Sequence, residues 1–130
     1  MEGKSIIANI SYQFALEIIK AYKQLTIEKR EFILSKQLLR CGTSIGANVN
    51  EGLSAESKRD FIHKLNISLK ESREALYWLN LLKDSEYLTN ETFELLSFKC
   101  SEISKILMSI ILTTKKRYLE KSMSTNNIDN

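Results

Sequence analysis

FELLSFKCSEISKILMSIILTT, residues 93–114, sets Phe93, Leu96, Cys100, Ile103, Leu107, Ile110 and Thr114 at alternating steps of three and four. A period near 3.5 residues puts all seven on one face of a helix. It suits packing against antiparallel neighbours that cross at about 20°. Working back along the chain, the same spacing recurs. Phe61, Leu65, Leu69, Ser72, Leu76 and Leu79 form one stripe, and Leu34, Leu38, Cys41, Ile45 and Val49 another. Ile7, Ile10, Phe14, Ile18, Ala21 and Leu25 form a fourth. Proline is absent and only 4 glycines occur, so little in the chain would break long helices. The expected fold is all-α, an antiparallel up-down four-helix bundle over residues 1–121, with a disordered polar tail over 122–130.

The breaks between stripes carry local signals. Thr26 reads as the N-cap of the second helix, its hydroxyl accepting from a first-turn amide. Leu88 before a Thr89 cap reads as one half of a hydrophobic staple with Phe93.

A chain of 130 residues with 43% hydrophobic and 27% charged residues is one ordinary globular domain, large enough to need no metal or disulfide. Cys41 and Cys100 stand singly within apolar patterns, which suits buried free thiols and a reducing, cytoplasmic compartment. No signal-peptide h-region is visible, and the apolar run Ile106 to Leu112 is too short to span a bilayer, so no membrane partner is expected. A net charge of +3 permits contact with nucleic acid without requiring it.

Three of the glycines, Gly42, Gly46 and Gly52, crowd into QLLRCGTSIGANVNEG, residues 37–52. A phosphate-gripping loop would need a preceding strand and a Gly-Lys-Ser/Thr ending, and neither is present. On a helix, Gly42 and Gly46 lie one turn apart and let a neighbouring backbone approach. Gly52 falls where the pattern stops and reads as a left-handed C-terminal cap. Beside the apolar stripe, Gln37, Arg40, Ser44, Asn48 and Glu51 form a polar one suited to specific hydrogen bonding. It serves either a network within the bundle or a contact between subunits.

QLLRCGTSIGANVNEG together with SKRDFIHKLNISLKESREALYWLNLL, residues 57–82, resembles the four-helix bundle family of 23S ribosomal RNA intervening-sequence proteins. The match follows a TSIGAN–SKxDF–LKExRExxYWL signature. Where this chain has Cys41, members typically carry Ser or Ala, and where it has Gly52 they often carry Ala. The family is similar to the accessory protein of diversity-generating retroelements, a pentameric barrel of bundles that binds a reverse transcriptase and nucleic acid. The resemblance therefore implies a non-enzymatic, bacterial, self-assembling protein, pentameric by analogy, with no catalytic residues and no cofactor. Its motif positions include Gln37, Arg40, Ser44, Asn48, Glu51, Ser57, Asp60, Phe61, Lys70, Glu71, Arg73, Glu74, Tyr77 and Trp78.

The residues also point to assembly on their own. Ile67, Trp78 and Leu81, with Glu71 and Glu74, form a second side of helix three away from its apolar stripe. Such a side either meets another subunit or closes a bundle end. Lys58, Arg59, Lys64, Lys115, Lys116 and Arg117 are the candidates for RNA or DNA contact. The last three equally suit a helix C-terminus, where cations complement the dipole. A protein partner on a purely structural scaffold is a further reading. For metal chemistry, Asp60 and His63 form half of a di-iron motif, but with 1 histidine in the chain no metal site is expected. The competing enzyme reading is an RNA-cleaving helical toxin-type ribonuclease using Arg59 and His63, although their spacing is shorter than that signature requires.

Overall fold

Helix-favouring residues and the four stripes produce helices joined by connections of only a few residues, as short antiparallel links require. The computed structural model describes the backbone of residues 2–129 and the side chains of residues 6–124. The described residues form α1 (Glu2–Ile27), α2 (Leu34–Leu53), α3 (Lys58–Asp84) and α4 (Asn90–Asp129). Each helix packs against two others, in the cyclic order α1, α2, α3, α4. Cross-helix bonds fix the direction. Ser68 Oγ donates to the Ile45 carbonyl at 2.7 Å while Arg40, earlier in α2, meets Glu74, later in α3. The numbering falls on one helix as it rises on the other, the mark of antiparallel neighbours.

The stripes meet in a single core. Phe14, Ile18, Leu38, Ile45, Leu65, Leu79, Leu96, Ile103 and Leu107 are all buried. Burying side chains of this size contributes about 1.5–3 kcal/mol each. The α4 seam drifts at its far end. Ile111 is buried and Ile110 only half-buried, because a straight 3.6-residue helix cannot hold a 3.5-residue seam indefinitely. Beyond it α4 continues as helix to Asp129, through the residues expected to form a polar tail. Its described side chains from Lys115 to Ser124 are all exposed. Nothing in 122–130 breaks a helix, and the backbone bonds persist where packing ends; side chains 125–130 and all of Asn130 lie outside the described residues.

Two caps differ from expectation. Thr26 sits inside α1, its hydroxyl donating to the Tyr22 carbonyl at 2.9 Å. The start of α2 is instead held by Glu31, whose carboxylate accepts from the main-chain N–H groups of Ile33, Leu34 and Ser35 at 3.1, 2.9 and 2.7 Å. Gly52 is not a left-handed cap, since no glycine has positive φ among the described residues. The left-handed positions are Arg30 after α1 and Glu86 after α3. At Glu86 the N–H groups of Glu86 and Tyr87 donate to the Lys83 and Leu82 carbonyls at 2.9 and 2.8 Å, closing the helix by a Schellman motif.

All three clustered glycines are contact points. A Cβ on Gly42 would sit 2.9 Å from both Cγ atoms of Ile18, and one on Gly46 would lie 3.4 Å from the Ser11 carbonyl oxygen. On Gly52 it would meet Leu65 Cδ1 at 2.9 Å. The first two let α1 approach α2, and the third lets α3 approach from the other side. The Thr89 cap is present: its Oγ1 accepts from the Thr92 N–H at 3.2 Å, and Leu88 and Phe93 both pack on the core.

Candidate functional site

The polar stripe of α2 is bonded mainly to α3 of its own chain. The Arg40 guanidinium donates to Glu74 at 2.6 Å and lies 3.5 Å from Glu71, while its Nε donates to Gln37 Oε1 at 3.3 Å. Glu51 pairs with Lys64 at 3.0 Å. The Asn48 amide donates to the Ser44 carbonyl one turn back, at 2.9 Å. The unequal distances divide the two carboxyls. Arg40's hydrogen bond holds Glu74 below the ordinary glutamate range, against the opposing effect of burial. Burial pushes Glu71 above that range, and Arg40 at the longer distance does not reverse it. Burial also lifts the neighbouring Cys41 thiol to about 12.

Trp78 closes this patch. Ile67, Trp78 and Leu81 are half-buried, and Trp78 packs on the core with Tyr77 edge-on at 5.1 Å. The indole N–H is buried and makes no hydrogen bond of good geometry, although it lies near enough to Glu74 to favour that carboxylate's charged form. Ligand atoms of Cys41, Glu71 and Glu74 lie within 4.8 Å of one another. A cation there would face the Arg40 guanidinium, with which Glu71 and Glu74 already pair, so the two carboxylates belong to an ion-pair network.

The candidate basic residues are dispersed. Lys64 is paired with Glu51. Lys115 and Lys116 are exposed on α4, and Arg59 and His63 are exposed on the first turns of α3. Two of the set share a cleft. Lys58 and Arg117 line one cleft of about 620 Å³ where the α2–α3 connection and the start of α3 meet α4. Its other walls are Gly52, Leu53, Ala55, Glu56, Ser57, Phe61, Ser109, Ile110, Thr113 and Thr114. Ser57 caps α3, its Oγ accepting from the Asp60 N–H at 3.0 Å. Neither Lys58 nor Arg117 is ion-paired among the described residues, unlike Arg40 and Lys64.

Two further features lie outside the stripes and motifs read from the sequence. The cleft's hydroxyls and Glu56 come from segments far apart in the chain, so spacing could not reveal them. The second is an apolar strip on the outer side of α4, where Phe98, Met108, Leu112, Leu119 and Met123 are exposed at 68%, 41%, 60%, 60% and 64%. Phe98, Leu112 and Leu119 are spaced by multiples of seven, a signal that is legible in the sequence.

By class, the fold is an all-α, up-down four-helix bundle, here with a paired Arg–Glu seam between α2 and α3. Residues 3–109 match the family described as 23S rRNA-intervening sequence protein, and the chain belongs to that family. It is similar to a crystal structure, at 1.70 Å resolution, of a protein with unknown function from the S23 ribosomal protein family of Bacteroides thetaiotaomicron. The two are 49% identical with a TM-score of 0.83, over 84% of this chain and 97% of that one. No curated protein matches the chain.

Proposed function

We propose that the chain is a non-enzymatic, self-assembling bundle whose basic end contacts nucleic acid. One observation supports it above the others: Lys58 and Arg117, from different helices, line one cleft and form no ion pair among the described residues, whereas Arg40 and Lys64 are paired with carboxylates. Assembly in a ring, five-fold by resemblance to the retroelement accessory protein, would repeat this modest patch and build a strong local field. The outer strip of α4, the Trp78 side of α3, and the α2 stripe of Gln37, Arg40, Ser44, Asn48 and Glu51 are the surfaces offered to other copies.

Binding of purified protein to structured RNA and to matched duplex DNA across a salt series tests the contact. The expected result is affinity whose logarithm falls linearly with log salt; absence of binding at low salt refutes it and directs the search to a protein partner. Light scattering tests assembly, and a lone 15.0 kDa species at micromolar concentration refutes it. RNA recovered intact from the binding mixture supports the non-enzymatic reading. Cleavage lost in His63→Ala would replace it with the ribonuclease one.

A further inference from the structure

The bundle-end cleft is lined by apolar, cationic and hydrogen-bonding groups, and together they describe a ligand. Part of its lining is apolar, supplied by Leu53, Ala55, Phe61 and Ile110. Its cations come from different helices, Lys58 from α3 and Arg117 from α4. Its volume of about 620 Å³ lies within the usual range for small-molecule sites.

The hydroxyls are unevenly occupied. Thr114 Oγ1 donates to the Ile110 carbonyl at 2.7 Å and Ser57 Oγ accepts from Asp60. Ser109 and Thr113 make no side-chain hydrogen bond among the described residues, leaving donors and acceptors open to a ligand. Glu56 adds the discriminating group. A carboxylate only accepts hydrogen bonds, so it repels a bare phosphate and welcomes a ligand with N–H or O–H groups to give.

A phosphate for the cations, a ring body for the apolar lining and donors for Glu56 are combined in a nucleotide. Inorganic phosphate has no body, and a fatty acid has no donors. We infer that the cleft between the start of α3 and residues 109–117 of α4 is a binding site for a single phosphorylated nucleotide, either free or at the end of a strand. This rests on the nucleic-acid reading of the basic end and narrows it from a surface to a pocket.

Calorimetric titration of the full chain with AMP, GMP and UMP tests it, with adenosine and inorganic phosphate as partial ligands. A mononucleotide should bind, and each partial ligand should bind at least about tenfold more weakly. Lys58→Ala and Arg117→Ala should each weaken the nucleotide about tenfold, the usual scale for one charge-assisted hydrogen bond. Lys36→Ala, an exposed lysine at the start of α2 and outside the lining, should leave it unchanged. Both lining cations are exposed and hold no in-chain acid, so the variants retain the fold, which circular dichroism verifies.

A 5′-phosphorylated hexanucleotide and its 5′-hydroxyl twin separate the two sources. Tighter binding of the phosphorylated strand than of AMP supports a strand end, and equal binding supports a free nucleotide. No mononucleotide binding at millimolar concentration, or binding indifferent to both Lys58→Ala and Arg117→Ala, overturns the pocket. If long RNA still binds in that case, the pocket alone fails. If mononucleotides bind and long RNA does not, the broader nucleic-acid reading fails and the pocket stands.

Discussion

Replacing each clustered glycine by alanine should produce three different results from one chemical change. In a helix interior alanine is favoured over glycine by about 1 kcal/mol, so each substitution begins with the same gain. The neighbouring atoms decide how much of that gain is kept. At Gly46 the new Cβ meets the Ser11 carbonyl oxygen and Oγ at 3.4 Å, close to ordinary contact, and most of the gain survives. At Gly52 it presses on Leu65 Cδ1 at 2.9 Å, the far end of a side chain that can turn, with Lys64 Cβ at 3.3 Å. At Gly42 it meets both Cγ atoms of Ile18 at 2.9 Å and its Cβ at 3.3 Å. Ile18 is wholly buried and branched at Cβ, so it cannot swing aside without moving α1. Overpacking of this kind costs about 1–3 kcal/mol. The expected outcomes are a gain of about 0.5–1 kcal/mol at Gly46, near zero at Gly52 and a loss of about 1 kcal/mol at Gly42. Urea unfolding at one fixed protein concentration reads them, and melting temperature should move by about 3 °C per kcal/mol in a chain of this size. Gly42→Ala as stable as Gly46→Ala would show that the approach of α1 is not what keeps a glycine there.

Glu31→Gln should destabilise the chain by about 1 kcal/mol at neutral pH, as loss of a helix cap does. Burial opposes the Glu31 charge, but the Leu34, Ser35 and Ile33 amides together outweigh it and hold its pKa below the ordinary 4.5. Because the folded value is depressed, the contribution is complete above 4.5 and disappears as pH falls through the folded value, so parent and variant should converge in acid unfolding curves. Cys41 and Cys100 are buried thiols pushed up to about 12. A thiol-exchange reagent at pH 8 should therefore leave both untouched until denaturant is added, and prompt reaction in the native state would contradict the packing. Ser72 Oγ and Ser104 Oγ lie 2.7 Å apart across α3 and α4. A double-mutant cycle to alanine should give a coupling of at least about 0.5 kcal/mol.

What the sequence disclosed was whatever depends on periodicity. Four stripes predicted four helices, and residues such as Phe14, Leu38, Leu65 and Leu107 are buried where their spacing put them. What it concealed depends on three-dimensional juxtaposition. Thr26 has the chemistry of a cap because a β-hydroxyl stands beside a break, but it bonds back into α1 just as readily. Glu31, the residue that holds α2, lies three positions before the helix begins and resembles an ordinary loop acid. Gly52 looks terminal because the apolar pattern stops, while the reason for a glycine there is Leu65 on the next helix. The six basic candidates fall into groups by sequence proximity, whereas the fold sets Lys58 and Arg117, remote in sequence, on the lining of one cleft.

The polar stripe of α2 admits two readings, and Arg40→Ala separates them. As a bundle network, Arg40 balances two carboxyls. Its pairing depresses Glu74, a contribution present at neutral pH and lost as pH falls through the folded value. For Glu71 the sign is reversed: burial raises its pKa, so its charge is a penalty at neutral pH, relieved on acidification. Removing Arg40 should deepen that penalty and abolish the Glu74 gain, and both changes destabilise most at neutral pH. Arg40 is 48% exposed, so solvent screening limits the loss to about 1 kcal/mol or less. The gap between parent and variant should therefore close as the pH is lowered towards 4 in urea titrations. A stripe that served mainly a contact between copies would behave otherwise. Light scattering would then show a change of assembly at neutral pH while the unfolding gap stayed indifferent to pH, and that pair of results would refute the in-chain account of Arg40.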